Sequence, residues 1–382
     1  MIQVMKKFFK VFFTALLCII VLVCALVPII WGKEISTLKT VTQVDGNKYL
    51  YTMEYKASYD LDDVIASDID ENAKLLQYVV SKVGKGIPIH IGSSQVVEDG
   101  GEHCTSFQAK NADGTGYLYG RNYDYFKNPS MVTFSHPKDG YASVAVSDMS
   151  HFGYSLDKLP EKFLSKVLCL AAVYAPVDGM NEKGLCTSIM ALPKQASQQS
   201  TGKHSIGTTI LMRIFLDRCA TVEEALEIVN SYDIRHDASV GSGYHYMVAD
   251  AQGHCAVIEF DLFDGWKTMI VEKPEDMNYM LVTNHLLDPK YYTTEPDPVL
   301  GNPNSHSWWR YETADAFLSE RNGVLSFVEA QKCLSDVHWK DLVWPDGTVE
   351  DTQYSNVYDQ SSLVLALRPW SDYDHTYTFN LK

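Results

Sequence analysis

The chain has 382 residues, a formal net charge of −16, eight cysteines and twelve histidines. Such acidity excludes the clustered Lys and Arg that a nucleic-acid surface needs, and most of it belongs on a solvated face. The histidines and cysteines show no metal-ligand repeat, no Cys-x-x-Cys and no disulfide framework, so no metal or other cofactor is expected and most cysteines read as core thiols.

In chain order, Lys6, Lys7 and Lys10 precede Val11–Trp31, 21 positions without a charge. About 20 apolar residues cross a bilayer core as a helix, and basic residues before such a span keep the N-terminus in the cytoplasm. A signal peptide has a shorter apolar run, and no small-x-small site follows Trp31. Residues 1–33 therefore read as an uncleaved single-pass anchor in the cell membrane, with the rest extracytoplasmic; a cleaved signal and a secreted protein are the alternative. Within 34–103, Lys48–Tyr59 predicts a Tyr-rich strand. Ser67–Val83 predicts a helix with Leu75, Leu76, Val79, Val80 and Val83 on one face. The run Glu98-Asp99-Gly100-Gly101-Glu102-His103 is an acidic, flexible approach to Cys104.

From Cys104 to Lys382 no repeat or low-complexity linker divides the chain, which predicts one domain. Asp113-Gly114 is a strong hairpin signal, and it places Cys104 opposite Asn122 or Tyr123. Arg121 and Asp124 are then expected to flank the sulfur. A cation beside a thiol lowers its pKa, and a carboxylate can orient a neighbouring amine or amide. The plain alternative is a buried cysteine in an ordinary hairpin. Further strands are expected at Tyr244–Ala249 and Ala256–Phe260, joined as a hairpin at Asp250-Ala251-Gln252-Gly253, and at Ser362–Leu367 and Tyr377–Leu381. Leu156–Val173 predicts a helix, and Thr221-Val222-Glu223-Glu224 and Ser326-Phe327-Val328-Glu329 predict capping boxes that open two more. Strands separated by helical stretches fit an α+β arrangement of packed sheets covered by helices. His245 reads as structural, and Asn181 as a turn residue in Asp178-Gly179-Met180-Asn181-Glu182-Lys183-Gly184. Trp308-Trp309 and Tyr123-Asp124-Tyr125-Phe126 fit either an apolar acyl pocket or core.

Four segments resemble one family in order and spacing. They are Cys104-Thr105-Ser106 with Gly120-Arg121-Asn122-Tyr123-Asp124, Asp178–Leu185, Val282-Thr283-Asn284 and Trp309-Arg310-Tyr311. Together they resemble the choloylglycine hydrolase and penicillin V acylase family of N-terminal-nucleophile hydrolases, whose relatives include acid ceramidase and N-acylethanolamine acid amidase. The resemblance implies a four-layer αββα fold and hydrolysis of non-peptide carbon–nitrogen bonds in linear amides, with a small acyl amide as substrate. It implies self-cleavage between His103 and Cys104, because the α-amine so freed is the base. Asp124 would orient that amine, Arg121 polarise the thiol or anchor substrate, Asn284 donate to the oxyanion, and Arg310 supply a second cation. The chain departs from the family at Ala191, where bile-salt hydrolases carry Asn and penicillin V acylases Tyr; backbone is expected to serve there instead. Three other readings stay open: an acyltransferase with the same thiol, a papain-like enzyme using Cys104 with His245 and Asn284, and a tethered binding protein. A homo-oligomer is also left open.

Overall fold

Asp113-Gly114 does close a hairpin, with Gly114 at φ +81°, and its two strands lie inside the smaller of two large sheets. The computed structural model describes residues 26–85, 103–193, 196–288, 291, 306–343 and 349–382. One sheet has nine strands, in spatial order Thr42–Gln43 (β1), Leu50–Tyr55 (β2), Ser130–Ser135 (β5), Ser143–Asp148 (β6), Asp178–Asn181 (β7), Cys186–Pro193 (β8), Ser242–Ala249 (β11), Cys255–Asp261 (β12) and Lys267–Glu272 (β13). The other has eight: Tyr279–Val282 (β14), His103–Asn111 (β3), Tyr117–Phe126 (β4), Val349–Asp359 (β17), Val364–Pro369 (β18) and Tyr377–Asn380 (β19), with Val324–Leu325 (β15) beside β3 and Leu342–Val343 (β16) beside β17. Ser205–Ile206 (β9) and Asp233–Ile234 (β10) form a separate parallel pair.

Helical backbone runs over 26–38 (α1). It is followed by Leu61–Ala66 (α2), Asn72–Gly84 (α3), Thr208–Arg218 (α4), Val222–Ser231 (α5), His306–Glu320 (α6) and Phe327–Asp336 (α7). Strand β3 packs against β8 between the sheets; α4 packs on β7 and β8, α6 on β3 and β14, and α7 on β4 and β17. Strands covered on both faces lose the alternation of a half-exposed strand. Accordingly β3 and β4 are buried along almost their whole length. A second apolar cluster, including Phe107, Leu281, Leu318 and Leu334, lies between the eight-stranded sheet and α6 and α7.

Both predicted capping boxes form. Thr221 accepts from Glu224 N at 3.2 Å, and Ser326 from Glu329 N at 3.3 Å. Other boundaries move for local reasons. The helix expected from Ser67 begins at Asn72, because Asp68 is left-handed at φ 50°. The helix expected over Leu156–Val173 is confined to Phe163–Tyr174 and wound as 3₁₀ turns; Pro160 lacks the amide that a continuous helix needs.

The segment before Cys104 is part of the sheet rather than an appendage. Strand β2 pairs in parallel with β5 from Leu50↔Ser130 to Tyr55↔Ser135, and Tyr59 OH donates to Asp217 Oδ2 at 2.7 Å. Helix α1 holds the C-terminal end of the predicted span, where Trp31 Nε1 donates to Val83 O at 2.6 Å. The rest of Val11–Trp31 lies outside the described residues, as does the approach 98–102. Among the described residues no helix is long and apolar enough to cross a membrane. All six described cysteines are buried.

Candidate active site

Strand alternation decides which residues share a face. Cys104 pairs directly with Tyr123, and Ser106 with Arg121, so these four side chains project from one side. That side meets the nine-stranded sheet: Ser106 Oγ lies 2.9 Å from Ser188 Oγ, and Arg121 Nε 3.9 Å from Asp178 Oδ2. Asp124 pairs with His103 and so projects from the opposite face. The expectation that Arg121 and Asp124 both flank the sulfur is corrected for Asp124. Three positions along a strand reverse the face.

The backbone of Cys104 is held by side chains. Strand β14 pairs with β3 only as far as Val282↔Ser106. Past that point the Cys104 N–H donates to Asn284 Oδ1 at 2.5 Å. Arg310, fully buried on α6, donates through Nη1 to Cys104 O and, at 3.1 Å, to Thr105 Oγ1; its Nη2 donates to Asn284 Oδ1 at 2.8 Å. Two donors on one oxygen fix the carboxamide's orientation. Asn284 Nδ2 donates in turn to Ala191 O at 2.8 Å. In the intact chain Asn284 thus turns its oxygen, not its NH, to the nucleophile candidate, and Ala191 supplies a backbone acceptor.

Arg121 is fully buried, and none of its guanidinium nitrogens has a hydrogen-bond partner among the described residues. Burial pulls its pKa down, but the neighbouring Cys104 and Asp178 outweigh that and leave it raised. Asp178 accepts from Tyr354 OH at 2.6 Å, from Asn356 Nδ2 at 2.7 Å and from Tyr358 OH. Burial raises its pKa, while Arg121 and these donors oppose the rise. On the other face Asp124 accepts from Thr352 Oγ1 at 2.5 Å. Burial pushes its carboxyl up to about 7, against the pull of Arg310 and Thr352. Arg310 is lowered by burial, opposed by Asp124 and Cys104.

Sequence reasoning missed the set around Asp178. Asp178 belongs to one of the four family-like segments, but Tyr354, Asn356 and Tyr358 lie on β17, a strand without apolar alternation. Two structural readings hold. Asn181 donates to Leu216 O and Cys219 O and accepts from Lys183 N and Leu185 N, which closes its turn. His245 engages Glu259 Oε1 at 3.1 Å and Thr283 O at 2.8 Å, which steadies the residue before Asn284. A papain-like mechanism needs a ring nitrogen of His245 for the thiol, and both are engaged. Of the aromatic runs, Tyr123 and Tyr125 are buried, Trp308 stacks on His285 at 4.1 Å, and Trp309 is exposed. Among the described residues no group of acidic, His or Cys side chains is arranged to hold a metal.

The family model of acyl-coenzyme A:6-aminopenicillanic acid acyl-transferase matches residues 158–365, more than half of the chain. The chain belongs to that family. The choloylglycine hydrolases and penicillin acylases resembled by the four segments fall in the same group. Two variants of the conjugated bile acid hydrolase from Clostridium perfringens share the fold. One aligns at a TM-score of 0.53 and 15% identity, over 72% of this chain and 92% of that one. The other aligns at 0.54 and 15%, over 73% and 92%. These likenesses establish a mixed α+β fold of the N-terminal-nucleophile hydrolase kind.

Proposed function

We propose that the chain is a self-processed thiol hydrolase of linear amides, acting on carbon–nitrogen bonds other than peptide bonds. The observation that carries this reading is the pair of side chains clasping Cys104. Asn284 accepts from its nitrogen and Arg310 donates to its carbonyl, which supports that nitrogen as the later base. An α-amine titrates near 7.7–8.0 in model peptides, close to where a general base works best. Once freed, the Cys104 amine takes the thiol proton and the sulfur adds to the substrate carbonyl. The amine leaves with that proton, and water cleaves the thioester. Arg121, with its donors unengaged beside the thiol, favours the thiolate and anchors a carbonyl or carboxylate. Arg310 and Asn284 hold the base. Residues 104–382 form the catalytic chain, 34–103 the precursor segment, and 1–33 an anchor that leaves the enzyme on the outer side of the membrane.

Family membership favours a second reading, in which an amine replaces water as the acceptor of the acyl group. The two part on products: free acid for hydrolysis, a new amide for transfer when a competing amine is present.

Wild type and Cys104→Ala are compared by N-terminal sequencing, intact mass and turnover of conjugated bile acids, penicillin V, N-acylethanolamines and N-acyl amino acids. The expected result is an active chain beginning at Cys104, and an uncut, inactive variant. A single active chain of 43.0 kDa sinks the mechanism.

A further inference from the structure

Residue 103 leaves the catalytic chain under the reading above, yet the fold grips its side chain. His103 Nδ1 lies 2.9 Å from Glu350 Oε1, and Glu350 is buried on β17. The imidazole stacks on Trp339, with ring centroids 4.7 Å and planes 29° apart. The receiving surface is itself fixed. Trp339 N donates to Thr352 Oγ1 at 2.9 Å, while its carbonyl accepts from Thr352 N at 3.0 Å and Ser371 Oγ at 2.7 Å. The ring of His306 sits against the same indole at 3.9 Å. A solvated residue awaiting release needs none of this.

We infer that Glu350 and Trp339 are positioning residues for self-cleavage, acting through His103 to hold the scissile carbonyl in reach of the Cys104 sulfur. The inference rests on the proposed self-processing and says how the fold achieves it. Attack on the preceding carbonyl closes a five-membered ring of Sγ, Cβ, Cα, N and the carbonyl carbon. Ring closure needs the torsions on both sides of the bond to be set. One side is set by Asn284 and Arg310, which hold the nitrogen and carbonyl of Cys104. The other side is set by Glu350 and Trp339, which hold the side chain of His103. Restricting those torsions in advance removes an entropic part of the barrier.

The chemistry balances without a further reactant besides water. The thiol adds to the His103 carbonyl carbon, forming a carbon–sulfur bond. The carbon–nitrogen bond breaks as the thiol proton passes to the Cys104 nitrogen. Water then cleaves the thioester, leaving the His103 carboxylate and a Cys104 with free amine and free thiol. Glu350 and Trp339 act through the His103 ring and take no part in these bond changes.

The test follows the cleavage rate of the full chain by intact mass. His103→Ala, Glu350→Gln and Trp339→Leu are each expected to slow it about tenfold or more. His103→Phe, which keeps the stacking but not the bond to Glu350, should fall between wild type and His103→Ala. The double variant His103→Ala, Glu350→Gln should be no slower than the slower single variant, because both changes remove one interaction. A merely structural loss does not produce that saturation. Glu350 and Trp339 are buried, so the His103 variants carry the test where the others fail to fold. If wild type is cut and His103→Ala is cut equally fast, or if the two single effects multiply, the inference is overturned while the proposed function stands. If wild type is never cut, both fall.

Discussion

Asn284 Oδ1 stands 2.5 Å from the backbone nitrogen of Cys104, so a side chain completes hydrogen bonding that a neighbouring strand supplies for the rest of β3. The same oxygen accepts from Arg310 Nη2 at 2.8 Å. Under the proposed self-processing, the freed amine of Cys104 would meet an amide oxygen tied to a cation. Such an arrangement would leave that amine basic without holding it permanently protonated.

Asn284→Ala should lower kcat of the processed enzyme by about two to three orders of magnitude with little change in KM, as when a group acting on the reacting centre is lost. Asn284→Asp is the sharper probe. A carboxylate beside the amine favours its protonated form, so the activity limb should move to higher pH. A pH–rate profile that keeps its wild-type position would remove Asn284 from any role beside the base.

Asp124 gives a stability prediction with a definite sign. Its carboxyl is raised from 3.8 to about 7 by burial, so the folded state holds a proton that the unfolded state has released. The folded state has its full stability from this group below about pH 4 and loses it as pH rises through about 7. Asp124→Asn should flatten that decline in melting temperature between pH 4 and 8. Asp178 and Asp217 are raised in the same direction, so only the difference between variant and wild type isolates Asp124. Parallel curves for the two proteins would contradict the assignment.

Thiol reactivity should be sharply selective. Burial pushes Cys169, Cys219 and Cys333 up to about 12 and raises Cys186 and Cys255 as well. All six are buried, but at pH 8 these five are held neutral, whereas Cys104 faces the Arg121 guanidinium. Peptide mapping after brief iodoacetamide treatment of the processed protein should find Cys104 modified first among the six described thiols. Equal modification of several would favour a protein without thiol chemistry.

Cleavage before Cys104 should not separate the two parts. The ladder between β2 and β5, the contact of Tyr59 with Asp217 and the buried Tyr55 and Met53 all join the preceding segment to the body of the protein. Size-exclusion chromatography of cut protein should give one peak holding both chains until denaturant is added. Elution of a free 104–382 chain under native conditions would show that the sheet does not hold them.

The hairpin at Asp113-Gly114, both capping boxes and the four ordered segments were legible because each depends on local chemistry. The pairing partner of Cys104 was also in reach, as Tyr123. What escaped is instructive. Strand β17 places Glu350, Asp351, Thr352, Gln353, Ser355 and Asn356 in the interior, and apolar periodicity cannot see a strand whose buried residues are polar. The face of Asp124 was legible in principle from the period of two, but the flanking picture treated nearness in sequence as nearness in space. The grip on His103 was not legible, since Glu350 is far along the chain and carries no motif.

Arg121 gives the fold an asymmetry of a different kind. A guanidinium kept from water, with its nearest carboxylate oxygen 3.9 Å away, is costly to keep, and an apolar residue of similar length there would relieve that cost. If Arg121 serves the thiol as proposed, the protein holds part of its reactivity as a deficit in stability, ready before any substrate arrives. Selection for thermal robustness alone would then be expected to erode this position, leaving a sturdier molecule without its proposed reactivity.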